Sequence, residues 1–464
     1  MTEKFRGRRD EMLNGSILKT LLSLGWPMAI SNIFRTIYNL ANTFWVAQLG
    51  PEMVAATTLS LPLMFLFILI AIGLGTAGVS LISQKIGAGE EEEKDLVAGQ
   101  VYSFMLLASL FIGVLGFLFV EDILRIMGGT PKVVALGKTF LRPQFLGMPF
   151  IFSEFAFSAI LRGHGETRFP MILTGITLSL NLVLDPFFIF GWGIFPSWGL
   201  FGSALTDLIG YSIASLIGVV LLFSPKLDIQ IRLSHLKPRL RWFKKILSIG
   251  GPSSLGGSFT AIGSLVLTAL IARVSTEAVT VYGVGIRIAM MSDIAIIGVV
   301  SGLSPMIGQN IGADQKQRAR TILKETAIAL FGITLAMSLF IFLFRRSLYQ
   351  AFVQQEEIIS EGVEFLGIFA FTLPFFALFR MVNAVFQGAG HTKHSMALSS
   401  IRQWGIRIFL SYLLSSILGY GATGIWIGIA LGNILGGLLS TIWVSLVKWE
   451  HKVIESPIKT SPHT

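Results

Sequence analysis

Residues 158–174, SAILRGHGETRFPMILT, return 225 positions later as residues 383–399, NAVFQGAGHTKHSMALS, with Ala159, Gly163, Gly165, Thr167, Met171 and Leu173 repeated in register. Ordinary residue usage would match about one or two such positions by chance. The same offset pairs Gly25 and Pro27 with Gly250 and Pro252, Glu52 with Glu277, and the run 86–88 with 311–313. A half-molecule written twice in one chain folds into two equivalent lobes, and the space between them is the natural place for a ligand.

The duplicated unit is lipid-soluble. With 53% hydrophobic residues, 13% charged residues and a mean hydropathy of +0.72, the chain carries more apolar surface than one soluble core can bury. Apolar runs predict twelve spans, roughly 18–47, 54–83, 97–119, 134–161, 170–190, 201–223, 245–272, 280–307, 322–344, 361–386, 396–417 and 422–447. The expected fold is an all-α membrane protein of two six-helix lobes, 1–223 and 245–464, joined by a cytoplasmic linker over 224–244. Six spans per lobe is an even number, so both copies start on the same side and a pseudo-two-fold axis runs along the membrane normal.

Basic residues fall mostly on one side of this arrangement: Arg8 and Arg9, Arg162 and Arg168, the cluster from Lys226 to Lys245, and Lys316, Arg318 and Arg320. Arg125, Lys132, Arg345 and Arg346 are exceptions. By the positive-inside rule both termini are cytoplasmic, in a multi-pass protein of the cell membrane. The first ten residues are hydrophilic, which predicts no cleavable signal peptide. A net charge of +10 that tracks loop side, without an aromatic-lined polar surface, argues against nucleic acid. The absence of cysteine excludes disulfides, thiolate metal sites and thiol nucleophiles. The acidic run 90–93 reads as a solvated loop, and His164 and His391 as solvated or capping residues in short loops.

Glycine (49 residues) is dense inside the spans, as in GNILGG at 432–437, where small residues let helices approach closely. Prolines at 27, 62, 149, 186, 252, 305 and 374 free backbone carbonyls and can serve as hinges. Ionisable groups at bilayer depth are costly and need a partner, water or a proton. The first lobe places Arg35, Glu154, Asp185 and Asp207 there; the second places Arg287, Arg380, Arg402 and Arg407 against Asp293. In NLVLDP, Asn181 lies one turn before Asp185 on the same face and Pro186 opens the backbone beside it. Asp185 is therefore the leading candidate to load a proton or share a cation, the alternative being a structural pair with a neighbour such as Arg35. The second lobe's arginines are expected to pair structurally with Asp293, or to receive an anionic headgroup.

At Pro27, YNLANTFWVAQLGPEMVAA (38–56), QKIGAGE (84–90) and QNIGADQ (309–315), RGHGETRFP (162–170), NLVLDP (181–186) and QGAGHTKHSM (387–396), the chain resembles the multidrug and toxic compound extrusion (MATE) family, its prokaryotic branch in particular, over nearly its full length. The resemblance implies export of amphipathic, often cationic compounds, driven by inward flow of protons or sodium through a site in the first lobe. That site is usually two aspartates, on the first and fifth helices, with an asparagine a turn before the second. Asn181 and Asp185 match the latter pair, but Asn42 stands where the pattern has the first aspartate.

Asn42 cannot carry a proton, so Asp207 of GSALTD (202–207) is expected to supply the second acid, the alternative being coupling through Asp185 alone. Sodium would be held by Asp185, Asp207 and neutral oxygens of Asn42, Asn181 and Thr206, or one proton would be shared between the carboxylates. Asp185 and Glu154 are the expected contacts for a cationic substrate. The partners implied are small amphipathic molecules and the lipid bilayer, with no cofactor beyond the coupling ion, and a chain that works as a monomer. The rival reading is a flippase for a lipid-linked oligosaccharide or peptidoglycan precursor, favoured by the arginines. No nucleophile–base pair, metal cluster or phosphate loop suggests an enzyme.

Overall fold

The computed structural model describes residues 3–454 as helices and short connections, with no β-strand among the described residues. In chain order these are α1 (Glu3–Asn14), α2 (Ile17–Ala47), α3 (Pro51–Ala88), α4 (Glu91–Ile126), α5 (Pro131–Leu146), α6 (Met148–His164), α7 (Arg168–Phe190) and α8 (Leu200–Leu222). There follow α9 (Leu240–Ala272), α10 (Thr276–Gly312), α11 (Lys316–Gln350), α12 (Glu356–Phe369), α13 (Leu373–Ala389), α14 (Thr392–Ser400), α15 (Phe409–Tyr412) and α16 (Gly421–Leu446). Ten stretches, with α12 and α13 counted together, are long and apolar enough to cross a bilayer. The pair α5–α6 makes an eleventh, bent by 49°. The bend falls at Gly147, between Pro143, which lacks a helix donor, and Pro149 at the start of α6. The twelfth span is residues 392–417, where α14 and α15 are separated and followed by π-helical segments, Ile401–Ile408 and Leu413–Ile417.

Helix ends follow local chemistry. Pro51 starts α3 and left-handed Gly89 ends it, giving 38 residues or about 57 Å, well beyond a hydrocarbon core of about 30 Å. The repeat-matched Gly165 and Gly390 end α6 and α13 with φ of 89° and 80°. A Cβ on Gly165 would also lie 1.7 Å from Met12 Cε, so two constraints require glycine there. Leu40, Phe111, Leu118, Val220 and Leu343 are each more than half exposed, as lipid-facing positions should be.

The duplication is visible in how the lobes meet. Gln84 Nε2 donates to Gly388 O and Ala389 O at 3.4 and 3.1 Å, and its repeat mate Gln309 donates to Gly163 O and His164 O at 3.3 and 3.4 Å. Gly87 packs on Gln309 O while Gly312 packs on Gln84 O, and Gly25 meets Gly298 while Gly250 meets Gly73 and Leu74. Each contact and its mate are exchanged by the 225-residue offset, the reciprocity a two-fold interface demands. These contacts close the lobes at the end of the bundle that carries residues 84–90, 163–167, 309–315 and 388–392. Helix α1 lies across the same end, Arg8 Nε reaching Gly165 O and Arg9 Nη2 reaching Gly87 O, cations placed at helix carboxyl ends.

Three loop expectations are corrected here. The acidic run is not simply solvated: Glu91 to Glu93 fill the first turn of α4, Glu90 and Glu93 neutralise buried Lys85, and Glu91 pairs with Lys94. His164 is buried, 2.9 Å from Asp228 Oδ2, because the interlobe segment folds back onto α4. His391 is half-buried and sits at the cap position of α14 without a side-chain capping bond. The interlobe segment is itself pinned: Gln100 Nε2 donates to His235 O and Lys237 O at 2.6 and 2.8 Å, and Lys94 lies 2.6 Å from Asp228. Helix α9 then begins at Leu240, inside the expected linker.

Burial raises the Asp228 carboxyl, but hydrogen bonds from His164 and Lys94 outweigh it and hold the group well below the usual carboxylate range. Such a group stabilises the fold above its unfolded pKa of about 4 and loses that contribution only as pH falls through the depressed folded value. Asp228→Asn is expected to destabilise the protein by about 3 kcal/mol between pH 5 and 8. Thermal unfolding in detergent measures this, with the gap between wild type and variant narrowing only in strong acid.

Candidate functional site

Three helices of the first lobe and the carboxyl end of α5 build one polar cluster inside an apolar surround. Helix α7 offers Asn181 and Asp185 one turn apart; α8 offers Ser203, Thr206 and Asp207 at i, i+3 and i+4; α2 offers Tyr38 and Asn42, again one turn apart. The Thr206 hydroxyl donates to Asp185 Oδ1, and Asn42 Nδ2 lies 3.4 Å from Asp185 Oδ2. Asp207 accepts from Tyr38 OH at 2.5 Å, Asn181 Nδ2 at 3.0 Å and Gln144 Nε2 at 2.7 Å. Asn42 Nδ2 joins the halves, also reaching Tyr38 OH at 3.2 Å and Ser203 Oγ at 3.0 Å. All five residues expected to bind the ion thus lie in one connected network. Asn181 reaches Asp207 through its amide nitrogen, and its own Oδ1 is buried with no partner.

Asp185 is fully buried, and neither it nor Asp207 makes a salt bridge among the described residues. The alternative partner, Arg35, stands elsewhere, over the Phe155 ring and beside Glu154, which also feels Arg162. Glu154 accepts from Thr174 Oγ1 at 3.4 Å on one oxygen, and its other oxygen is buried without a partner. Two linked carboxylates with no protein cation, plus one orphaned acceptor, make a site that a proton or a small oxygen-seeking cation can complete.

Sequence reasoning missed Tyr38, Ser203 and Gln144. Tyr38 precedes Asn42 by one turn, and Ser203 precedes Thr206 by three residues, so a face-by-face reading of the motifs could have found both. Nothing in the sequence marks Gln144.

The second lobe's arginines do not pair with Asp293, whose Oδ1 is buried without a partner. Arg380, Arg402 and Arg407, with Arg162 from the first lobe, instead line a cavity of about 590 Å³ between α3, α9, α10, α13 and the 392–417 span. Neither Asp185 nor Glu154 is part of its lining.

A family model, MatE, matches this chain twice, over residues 27–187 and 252–413, the two starts being 225 apart. The chain belongs to the MatE family. Among the relatives of this MatE protein, the probable multidrug resistance protein YoeA of Bacillus subtilis is 26% identical over 87% of this chain and 88% of its own. The FAD transporter of Shewanella oneidensis is 30% identical over 68% of this chain and 70% of its own. The outward-facing structure of a multidrug resistance MATE family transporter superposes with a TM-score of 0.87 at 28% identity, covering 94% of this chain and 97% of that one. The protein is accordingly a multi-span membrane transporter with the two-lobed, twelve-span MATE layout.

Proposed function

We propose that this MatE protein exports amphipathic small molecules by alternating access, driven by protons or sodium entering through the Asp185–Asp207 cluster. The observation that carries the reading is the uncompensated pair of carboxylates, Asp185 fully buried and Asp207 partly buried beside it. Their charge is costly at bilayer depth until an incoming cation neutralises it, so loading and unloading that cation changes which packing of α2, α7 and α8 is stable. Pro27 in α2 and Pro186 in α7 supply the softened points about which the helices repack.

With both termini in the cytoplasm of a cell-membrane protein, the reciprocal Gln84 and Gln309 contacts close the cytoplasmic end. This is the state that releases substrate and admits the coupling ion, and the likeness to an outward-facing relative supports it. Both lobes are present in one chain, so the monomer is the working unit, with no cofactor needed. Export is supported by the name of the B. subtilis relative, a probable multidrug resistance protein. The basic lining of the cavity favours a second reading, a flippase for lipid-linked diphosphates.

The test is transport in proteoliposomes under separately imposed pH and sodium gradients. Ion-coupled export predicts accumulation that follows one of the two gradients and collapses when that gradient is removed. Substrate movement indifferent to both would overturn it and favour uncoupled flipping.

A further inference from the structure

The interlobe cavity owes its charge to an irregular stretch of helix. Arg402 and Arg407 are five residues apart, and in an α-helix they would point about 140° from one another. Residues Ile401–Ile408 are wound as a π-helix, whose i→i+5 hydrogen bonding widens the turn and brings the two side chains much closer together, onto one face. Helix α16 makes room for both stems with glycine: a Cβ on Gly436 would lie 2.6 Å from Arg402 Cδ, and one on Gly432 would lie 2.7 Å from Arg407 Cβ.

Arg402 is only 4% exposed, yet its guanidinium has no acidic partner. It donates to Asn433 Oδ1 at 3.1 Å and sits 4.4 and 5.4 Å from the ring centres of Phe379 and Phe376. Arg407 reaches Tyr282 OH at 3.3 Å. The Nε atoms of Arg380, Arg402 and Arg407 are all buried and unbonded, and Arg380 makes no hydrogen bond or ion pair among the described residues. Across the cavity Arg162 shares the single carboxylate of Glu154 with Arg35, so the wall it completes also carries excess positive charge. No carboxylate belongs to the cavity lining.

Four guanidiniums, Arg402 buried and the other three partly so, with only Glu154 beside Arg162 as counter-charge, are costly in a membrane interior unless something anionic arrives. Their planar forks fit carboxylate and phosphate oxygens in pairs, and the Phe376 and Phe379 faces suit an apolar or aromatic body. The volume is that of a cavity for a drug-sized molecule. We infer that this cavity binds an amphipathic organic anion, a phosphate, diphosphate or carboxylate head on an apolar or aromatic body, as the transported species. This rests on the export reading and supplies its substrate class. A soluble nucleotide-type compound and a lipid-linked diphosphate share the chemistry.

The experiment uses the purified full chain in detergent micelles without any ion gradient, with FAD, farnesyl diphosphate and ethidium as probes. At least one anion binds and raises the unfolding temperature, and ethidium does not. FAD alone binding identifies a soluble source, farnesyl diphosphate alone a lipid-linked one, and either supports the inference. Arg380→Gln breaks no existing bond, so it folds, and it weakens anion binding about tenfold or more. Arg402→Lys keeps the charge but not the fork and weakens binding less than Arg402→Gln does. Failure of both anions to bind, or unchanged anion affinity in Arg380→Gln, overturns the inference. Gradient-driven export of ethidium without anion binding sinks this inference and leaves the export reading standing. Anion binding with no gradient-driven transport of any probe sinks the export reading, and with it the anion's role as the transported species, and leaves only the cavity's selection of an anion.

Discussion

Asp185→Asn brings gradient-driven accumulation of substrate to the background level while the protein remains folded in the membrane. The side chains are nearly isosteric and the amide oxygen of asparagine can still accept from Thr206; only the long 3.4 Å contact from Asn42 loses its acceptor, so the network around the position largely keeps its shape. The variant lacks a charge to be neutralised. A pH difference of one unit is worth about 1.4 kcal/mol per proton, enough for about tenfold accumulation if one proton moves per substrate. The variant, with nothing to couple, gives a ratio of about one. The measurement is the steady-state substrate ratio across proteoliposomes holding wild type or variant, with a thermal unfolding curve to show that both are folded. An unchanged ratio in the variant would refute the assignment of Asp185.

Much of this architecture was legible because helical membrane proteins write their fold in long-period signals. The 225-residue offset predicts two lobes about a two-fold axis, and the exchanged contacts of Gln84 and Gln309 follow that same offset. The ion cluster was legible where its members share a helix face, Asn181 with Asp185 and Thr206 with Asp207, since four-residue spacing survives any packing of neighbours. What depends on how helices rotate against one another was not. Gln144 joins Asp207 only because the bent α5–α6 pair brings Pro143 and its neighbour against α8. From sequence the arginine wall reads first as ion pairs, and only second as a place for an anionic headgroup, for a related reason: in α-helical register Arg402 and Arg407 diverge, and the π-helix turns both inward. His164 reads as a solvated or capping residue because its partner, Asp228, lies 64 residues away on a segment whose course periodicity cannot give.

Asp207→Asn tests whether the missing family aspartate has been replaced in space. Asp207 holds three donors, from Tyr38, Asn181 and Gln144, and an asparagine there presents one oxygen and one NH₂ group. The NH₂ can face Gln144 if that amide turns over to accept, so the cluster survives as a neutral network and the protein folds. Coupled transport nonetheless falls at least tenfold, because the incoming cation then meets one carboxylate where two were joined through Asn42. Asp185→Asn with Asp207→Asn is no worse than Asp185→Asn alone, as expected of groups that act as one unit. Adding Asn42→Asp to Asp207→Asn returns a second acid to the cluster: Asn42 Nδ2 is 3.4 Å from Asp185 Oδ2, so a carboxylate at 42 faces the same partner. Coupled accumulation recovers in that double variant. Undiminished transport in Asp207→Asn would mean that Asp185 carries the coupling by itself, and that Asp207 serves only to hold Tyr38, Asn181 and Gln144 in place.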